Sequence, residues 1–147
     1  MTGMLKISEG TALALHALAY LTISKGQTVS ARELAEVIKA SEAHMIKICQ
    51  TMCKADLLAS KRGPQGGFYL KCKPAKVTLE DVYTLFNGKM DKGKCLFAVK
   101  GCDDQNMQQC LFGDKLMDIN RQIIQYFRDT TIADISANCH KVLTDKQ

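Results

Sequence analysis

Residues 30–70, SARELAEVIKASEAHMIKICQTMCKADLLASKRGPQGGFYL, constrain the chain more than any other stretch. They open on Ser30-Ala31-Arg32-Glu33. This is a capping-box pattern, a hydroxyl and a carboxylate each able to satisfy orphan amides at a helix start. Leu34, Ala35, Val37 and Ile38 follow as an apolar stripe. After a break at Lys39-Ala40, Ser41 is a good N-cap for a second helix that runs to about Lys54. In that helix Met45, Ile48, Cys49 and Met52 fall at i, i+3, i+4 and i+7 and should face a core. His44, Lys47, Thr51 and Lys54 are expected on the opposite side. Residues 57–60 and 67–70 read as short strands around a basic turn, Lys61-Arg62-Gly63-Pro64-Gln65-Gly66.

Helix, tight turn, polar-faced helix and basic hairpin make the pattern of a winged helix-turn-helix. The second helix would lie in a DNA major groove. The hairpin would touch phosphates or the neighbouring minor groove. The residues expected at DNA are Ser41, His44, Lys47, Thr51 and Lys54 on the helix, and Lys61, Arg62 and Gln65 on the wing. The competing interpretation is a small α+β core whose lysines merely keep a surface solvated. The basic wing with Gly-Pro at its tip favours DNA, and a net charge of +5 permits a polyanionic partner.

The rest of the chain has to fit around this unit. A chain of 147 residues is one domain, or one small domain with an appendage. Residues 5–23 are apolar on nearly every side, through Ala12, Leu13, Ala14, Leu15, Ala17, Leu18, Ala19, Leu21 and Ile23, which predicts a helix buried on most faces. His16 lies inside it, where a packed core histidine competes with a metal ligand. Past the wing, Thr78, Glu80 and Asp81 predict the start of a helix carrying Val82, Leu85 and Phe86 and stopped at Asn87-Gly88. Phe112, Leu116, Ile119, Ile123 and Phe127 then repeat at three- and four-residue steps. So long a stripe would be covered by its copy in a second chain; folding back onto its own domain is the alternative. Thr131 predicts a cap for a last short turn over 132–135, and the polar tail from Asn138 is expected to fray. The fold class expected is mainly α with a small β-hairpin wing. It divides into a winged helix-turn-helix over 1–86, a cysteine-containing loop over 87–111, and a dimerisation helix with its tail over 112–147.

No apolar run approaches the ~20 residues of a membrane span, and no signal peptide opens the chain. The expectation is a soluble, cytoplasmic protein with no membrane partner and no enzyme activity. Seven cysteines, an odd number, argue against a closed disulfide framework and fit a reducing compartment. Three of them, Cys95, Cys102 and Cys110, stand at C-x6-C-x7-C spacing in KMDKGKCLFAVKGCDDQNMQQCLFG, residues 89–113, which carries little periodicity and reads as a long loop. Thiolates are soft ligands, and three in one loop can converge on a metal centre. An iron–sulfur cluster takes four ligands, usually cysteines. Neighbouring Lys89, Lys92, Lys94 and Lys100 would favour the thiolate form. A reversible disulfide, a zinc site and plain reduced thiols stay open, although zinc prefers tighter C-x2-C pairs. Cys49 and Cys53 read as small buried hydrophobes. A thiol oxidoreductase would need a C-x-x-C motif, which the chain lacks.

The sequence resembles the Rrf-two family of winged-helix transcriptional regulators, the IscR, NsrR and RirA group. The likeness runs from Met4 to about Ala137. It is carried by LKISEGTALALHAL, by the helix-turn-helix and wing with RGPQGGFYL as the most specific part, by LEDVYTLFNG, by the three-cysteine loop and by the closing TTIADI. The resemblance implies a homodimeric repressor or activator on a double-stranded DNA operator. It also implies that Cys95, Cys102 and Cys110 hold a 2Fe-2S or 4Fe-4S iron-sulfur cluster whose state sets DNA affinity. The cysteine spacing is wider here than is usual in the family. Some members take the fourth ligand from an acid near the first helix, where this chain has Ala12. Others use a histidine soon after the third cysteine, where it has Leu111, Phe112 and Gly113. A branch uses a histidine on the first helix, and His16 matches that place; Glu9 and Asp114 are further candidates. The alternative is a metal-free winged-helix regulator that responds to thiol oxidation or a small molecule.

Overall fold

The computed structural model describes residues 7–90 and 111–144. In chain order the elements are α1 (Glu9–Ile23), α2 (Ala31–Ile38), α3 (Glu42–Lys54), β1 (Leu58–Lys61), β2 (Gly67–Leu70), a 3-10 turn (Pro74–Lys76), α4 (Leu79–Asn87), α5 (Gly113–Asp129) and α6 (Ile132–Thr144). Helix α1 is the hub. Ser8 caps it by accepting the Thr11 amide at 3.2 Å, and Thr11, Leu13, Ala14, Ala17, Leu18, Ala19 and Leu21 are buried along it. Helices α2, α3, α4 and α6 and strand β2 all lie against it. A helix apolar on nearly every side is stable in water only when covered this way.

The helix-turn-helix forms where the sequence predicts it, with one change at its start. Ser30 accepts the Glu33 amide at 3.1 Å, but the Glu33 carboxylate does not complete a capping box. It accepts from the Tyr20 phenol at 2.9 Å and so ties α2 to α1. Lys39 turns left-handed at φ 64° to end α2, and the Ala40 amide donates back to Ala35 at 3.0 Å. Met45, Ile48, Cys49 and Met52 of α3 are buried as expected. At the far end of α3, Asp56 is left-handed at φ 60°. The Leu57 amide there reaches Met52 at 3.0 Å and the Asp56 amide reaches Cys53 at 3.1 Å. This Schellman closure turns the chain straight into the wing.

Strands β1 and β2 pair antiparallel, Leu58 opposite Leu70 and Lys61 opposite Gly67. Val29, just before α2, adds a bridge to Phe68, with reciprocal amide–carbonyl bonds of 2.9 and 2.8 Å. That third backbone segment explains Gly67, while the wing's own turn explains Gly66. A Cβ on Gly66 would stand 2.5 Å from the Lys61 carbonyl oxygen, and a Cβ on Gly67 would fall on the Val29 carbonyl.

The C-terminal half is joined to the head by two matching caps. Thr78 accepts the Asp81 amide at 3.2 Å while Asp81 accepts the Thr78 amide at 2.8 Å. Thr131 and Asp134 repeat the arrangement at 3.2 and 2.8 Å. The two caps sit side by side: the Leu79 amide donates to Thr130 at 3.0 Å and the Ile132 amide to Val77 at 2.9 Å. Near this junction the Tyr83 and Phe127 rings meet edge to face at 5.9 Å, and Arg128 grips Glu80 at 3.0 and 3.4 Å. Here the sequence expectation needs correction. The last turn does not stop at 135; α6 continues to Thr144. Ile132 and Ser136 are buried and Ile135 packs on the core, because α6 covers a side of α1 that the other helices leave open. Helices α5 and α6 therefore contribute to the same core as the head.

A Gly67→Ala substitution should push the wing off Val29 and cost about 1–3 kcal/mol, the usual range for overpacking a tight site. Urea unfolding followed by far-ultraviolet circular dichroism checks it. A midpoint equal to that of the unsubstituted protein would show that the three-segment contact is not tight.

Candidate nucleic-acid interface

Each residue of an α-helix advances about 100° around its axis. Directly opposite the buried Met45, Ile48, Cys49 and Met52 therefore stand Ala43, Lys47, Gln50 and Lys54, and all four are exposed. Lys47 and Lys54 were expected there. His44 and Thr51 were too, but they lie on the flank and are half-exposed. The His44 Nδ1 is 3.9 Å from the Glu9 carboxylate of α1, and the Thr51 hydroxyl donates to the Lys47 carbonyl at 3.0 Å. Ser41 is exposed but committed to its cap, accepting the His44 amide at 3.2 Å. Gln50 was missed, although counting the helical angle from the four core residues finds it.

The wing tip carries Lys61, Arg62 and Gln65, all exposed. Lys71, just past β2, is different. Its ammonium is 2.6 Å from the Asp56 carboxylate. Lys71 holds the Asp56 carboxyl below the ordinary carboxylate range, and Asp56 raises the lysine in return. That cation is engaged at the wing's base, whereas Lys47, Lys54, Lys61 and Arg62 are exposed on α3 and the wing tip.

Three thiols outside the loop, those of Cys49, Cys53 and Cys72, are not poised for chemistry. Burial, then neighbouring Cys53, pushes Cys49 up to about 12, and burial raises Cys53 and Cys72. Cys49 and Cys53 are small packed side chains, as the sequence implied. Cys95, Cys102 and Cys110 lie outside the described residues. Among the described residues, no group of three or more histidine, cysteine or acidic side chains is arranged to hold a metal ion. His16 is exposed rather than packed in the core. Its Nδ1 sits 2.7 Å from the Ala12 carbonyl. A carbonyl only accepts, so Nδ1 carries the proton and the neutral ring keeps its lone pair on Nε2.

Helix α5 has two apolar faces. Ile124 and Phe127 are buried in the chain's own core with Asn120. Phe112, Ile119 and Tyr126, seven residues apart, are 47, 47 and 56 % exposed, with half-buried Leu116 and Ile123 between them. Steps of four, three, four and three residues make this a heptad seam. Phe127, expected on the seam, packs inward, and Tyr126 takes its place.

Residues 7–138 match the Rrf2 family, described as iron-dependent transcriptional regulators. The chain belongs to the Rrf2 family. An HTH-type transcriptional regulator of Aquifex aeolicus is 31 % identical over 87 % of this chain and 89 % of its own. Among solved structures, CymR, the global cysteine regulator of B. subtilis, superposes with a TM-score of 0.72 at 20 % identity, covering 92 % of this chain and 98 % of that one. IscR of T. potens does so at 0.67 and 21 %, covering 94 % and 90 %. These structures share the winged-helix fold with its six helices and two-stranded hairpin. The protein is thus a DNA-binding transcriptional regulator of the Rrf2 family, and no described helix is long and apolar enough to cross a membrane.

Lys47→Ala should weaken binding to a preferred duplex, and Arg62→Ala should weaken all duplexes alike while flattening the salt dependence by about one unit. Fluorescence anisotropy across several salt concentrations measures both. Unchanged affinity in the two variants would remove α3 and the wing from the interface.

Proposed function

We propose that this Rrf2 regulator works as a homodimer whose operator affinity is set by an iron–sulfur cluster, 2Fe-2S or 4Fe-4S. Cys95, Cys102 and Cys110 would hold it, with His16 as the fourth ligand. The observation that carries the reading is the family's iron dependence joined to a loop of three cysteines. The donor set fits such a group. Three thiolates and one imidazole are ligands that iron–sulfur centres accept. The His16 ring supports the assignment, because a ligating histidine ordinarily donates its other ring N–H to a carbonyl or carboxylate, as His16 does to Ala12. When bound, the cluster would supply a centre that responds to iron and oxidants. The chain's own residues would do the rest. Lysines of the loop offset the anionic centre, and α5 links the loop to α4 through Phe127, Arg128 and Thr130. The seam along α5 is the face proposed to meet a second copy. In this division of labour residues 1–86 read DNA, 87–111 sense, and α5 within 112–147 assembles the pair.

A second reading, a metal-free regulator that responds to thiol oxidation or a small molecule, is favoured by one finding. The fold matches CymR, which is described as a cysteine regulator.

Anaerobic purification with iron and sulfide analysis separates the two. The cluster reading expects stoichiometric iron and visible absorption, lost in Cys95→Ala, Cys102→Ala and Cys110→Ala and kept in Cys72→Ala and Cys139→Ala. His16→Ala should alter the absorption or the potential. Protein free of iron, with DNA binding abolished by peroxide, would establish the metal-free regulator instead.

For the assembly, Ile119→Glu places an unpaired charge in the seam, which is strongly unfavourable. Light scattering should then show monomers or aggregates where the unsubstituted protein is dimeric. A wild-type monomer at micromolar concentration would sink the dimer.

A further inference from the structure

We propose that the exposed row of α3 selects A·T base pairs. Ala43 and Ile46 would contact thymine methyl groups, and Gln50 would make paired hydrogen bonds to an adenine. The inference rests on the reading of α3 as the helix that enters the major groove.

Two of the four residues standing opposite the core bring no charge to a phosphate. Ala43 ends in a methyl group and Gln50 is uncharged, yet both are exposed. Attraction to the DNA backbone is driven by charge, which a methyl or a carboxamide does not bring. The exposed acid Glu42 beside Ala43 makes the first turn poorer still as a phosphate clamp. Base edges offer what these side chains match. The thymine C5-methyl is the apolar group displayed in the major groove, and adenine presents an N7 acceptor next to an N6 donor, which one carboxamide satisfies with its nitrogen and oxygen together. Ile46, three residues after Ala43 and half-exposed on the adjoining flank, widens the apolar edge. Lys47 donates only, so it fits a guanine or a phosphate. Lys54 in the last turn and the wing cations fit the backbone.

The spacing adds a quantitative constraint. Ala43 and Gln50 are seven residues apart, about 10.5 Å of helical rise. That is about three base steps of ~3.4 Å. Because the helix follows the groove rather than the duplex axis, the thymine and the adenine should lie within about three base pairs of each other in a half-site.

Selection of the full-length protein against a pool of random duplexes gives the consensus. Each thymine in it is then replaced by deoxyuridine, which removes the methyl and nothing else. We expect one or two replacements per half-site to weaken binding about five- to tenfold, as measured by anisotropy. Ala43→Gly together with Ile46→Ala should abolish that sensitivity. Gln50→Ala should relax the choice at a single adenine, within about three base pairs of the sensitive thymine, by about tenfold. Gln50→Ala introduces the best helix former, so a folding failure does not cloud that arm. A clear consensus that responds to no deoxyuridine, and that Gln50→Ala leaves intact, would overturn the inference while α3 remains the DNA helix. If no duplex binds at all, the docking of α3 fails first and the base assignment falls with it.

Discussion

A helix without a polar side cannot be left in water, and covering α1 sets the place of nearly everything else. Helices α2 and α3 take one part of its circumference, α4 another, α6 a third, and β2 approaches as well. Buried alanines at 14, 17 and 19 allow the close approach of several neighbours at once. The DNA-reading geometry follows from this arrangement. Helix α3 spends Met45, Ile48, Cys49 and Met52 on the hub, and the opposite side is thereby fixed as Ala43, Lys47, Gln50 and Lys54. The wing has no such core of its own. It is held by a turn at Asp56, by the Val29 bridge and by the Lys71–Asp56 pair.

Much of this was legible in the amino-acid order. The capped helices, the buried stripe of α3, the Gly-rich basic hairpin and the central apolar helix follow from periodicity and capping chemistry. The misses have physical causes. Glu33 has the spacing of a capping box, but Tyr20 competes for its carboxylate, and only tertiary structure brings that phenol near. Helix α6 looked like a frayed tail because its exposed polar residues hide a buried line of Ile132, Ile135 and Ser136. The outward face of α3 was set about a quarter-turn too wide, which promoted His44 and Thr51 and passed over Gln50. His16 was weighed as a packed core residue because the sequence around it is apolar; it falls on the strip of α1 that the other elements leave uncovered.

Burial sets apart Cys49, Cys53 and Cys72. Those on α3 and just after the wing have protonated, partly or fully buried thiols, so they serve as packing. In the proposed division of labour, chemistry at sulfur falls to the loop. A similar sorting divides α5 lengthwise. One face, with Ile124 and Phe127, is spent on the chain's own core, and the heptad seam beside it stays partly exposed. A sequence stripe that mixes the two faces conceals the division, since Phe127 and Tyr126 are neighbours with opposite destinations.

The twin caps at Thr78 and Thr131 also bear on how such a regulator can change over time. Helix α4 is held at its start by this junction and at its end by the Asn87 side chain, which accepts the Ser8 amide at 3.3 Å. Helix α5 is held at its finish by Phe127, Arg128 and Thr130. Each of these anchors lies outside residues 91–110. Substitutions, insertions or a different set of ligands in that stretch leave every one of them in place. If signal detection resides there as proposed, its chemistry is free to diverge among descendants of one ancestor while the reading head is inherited intact.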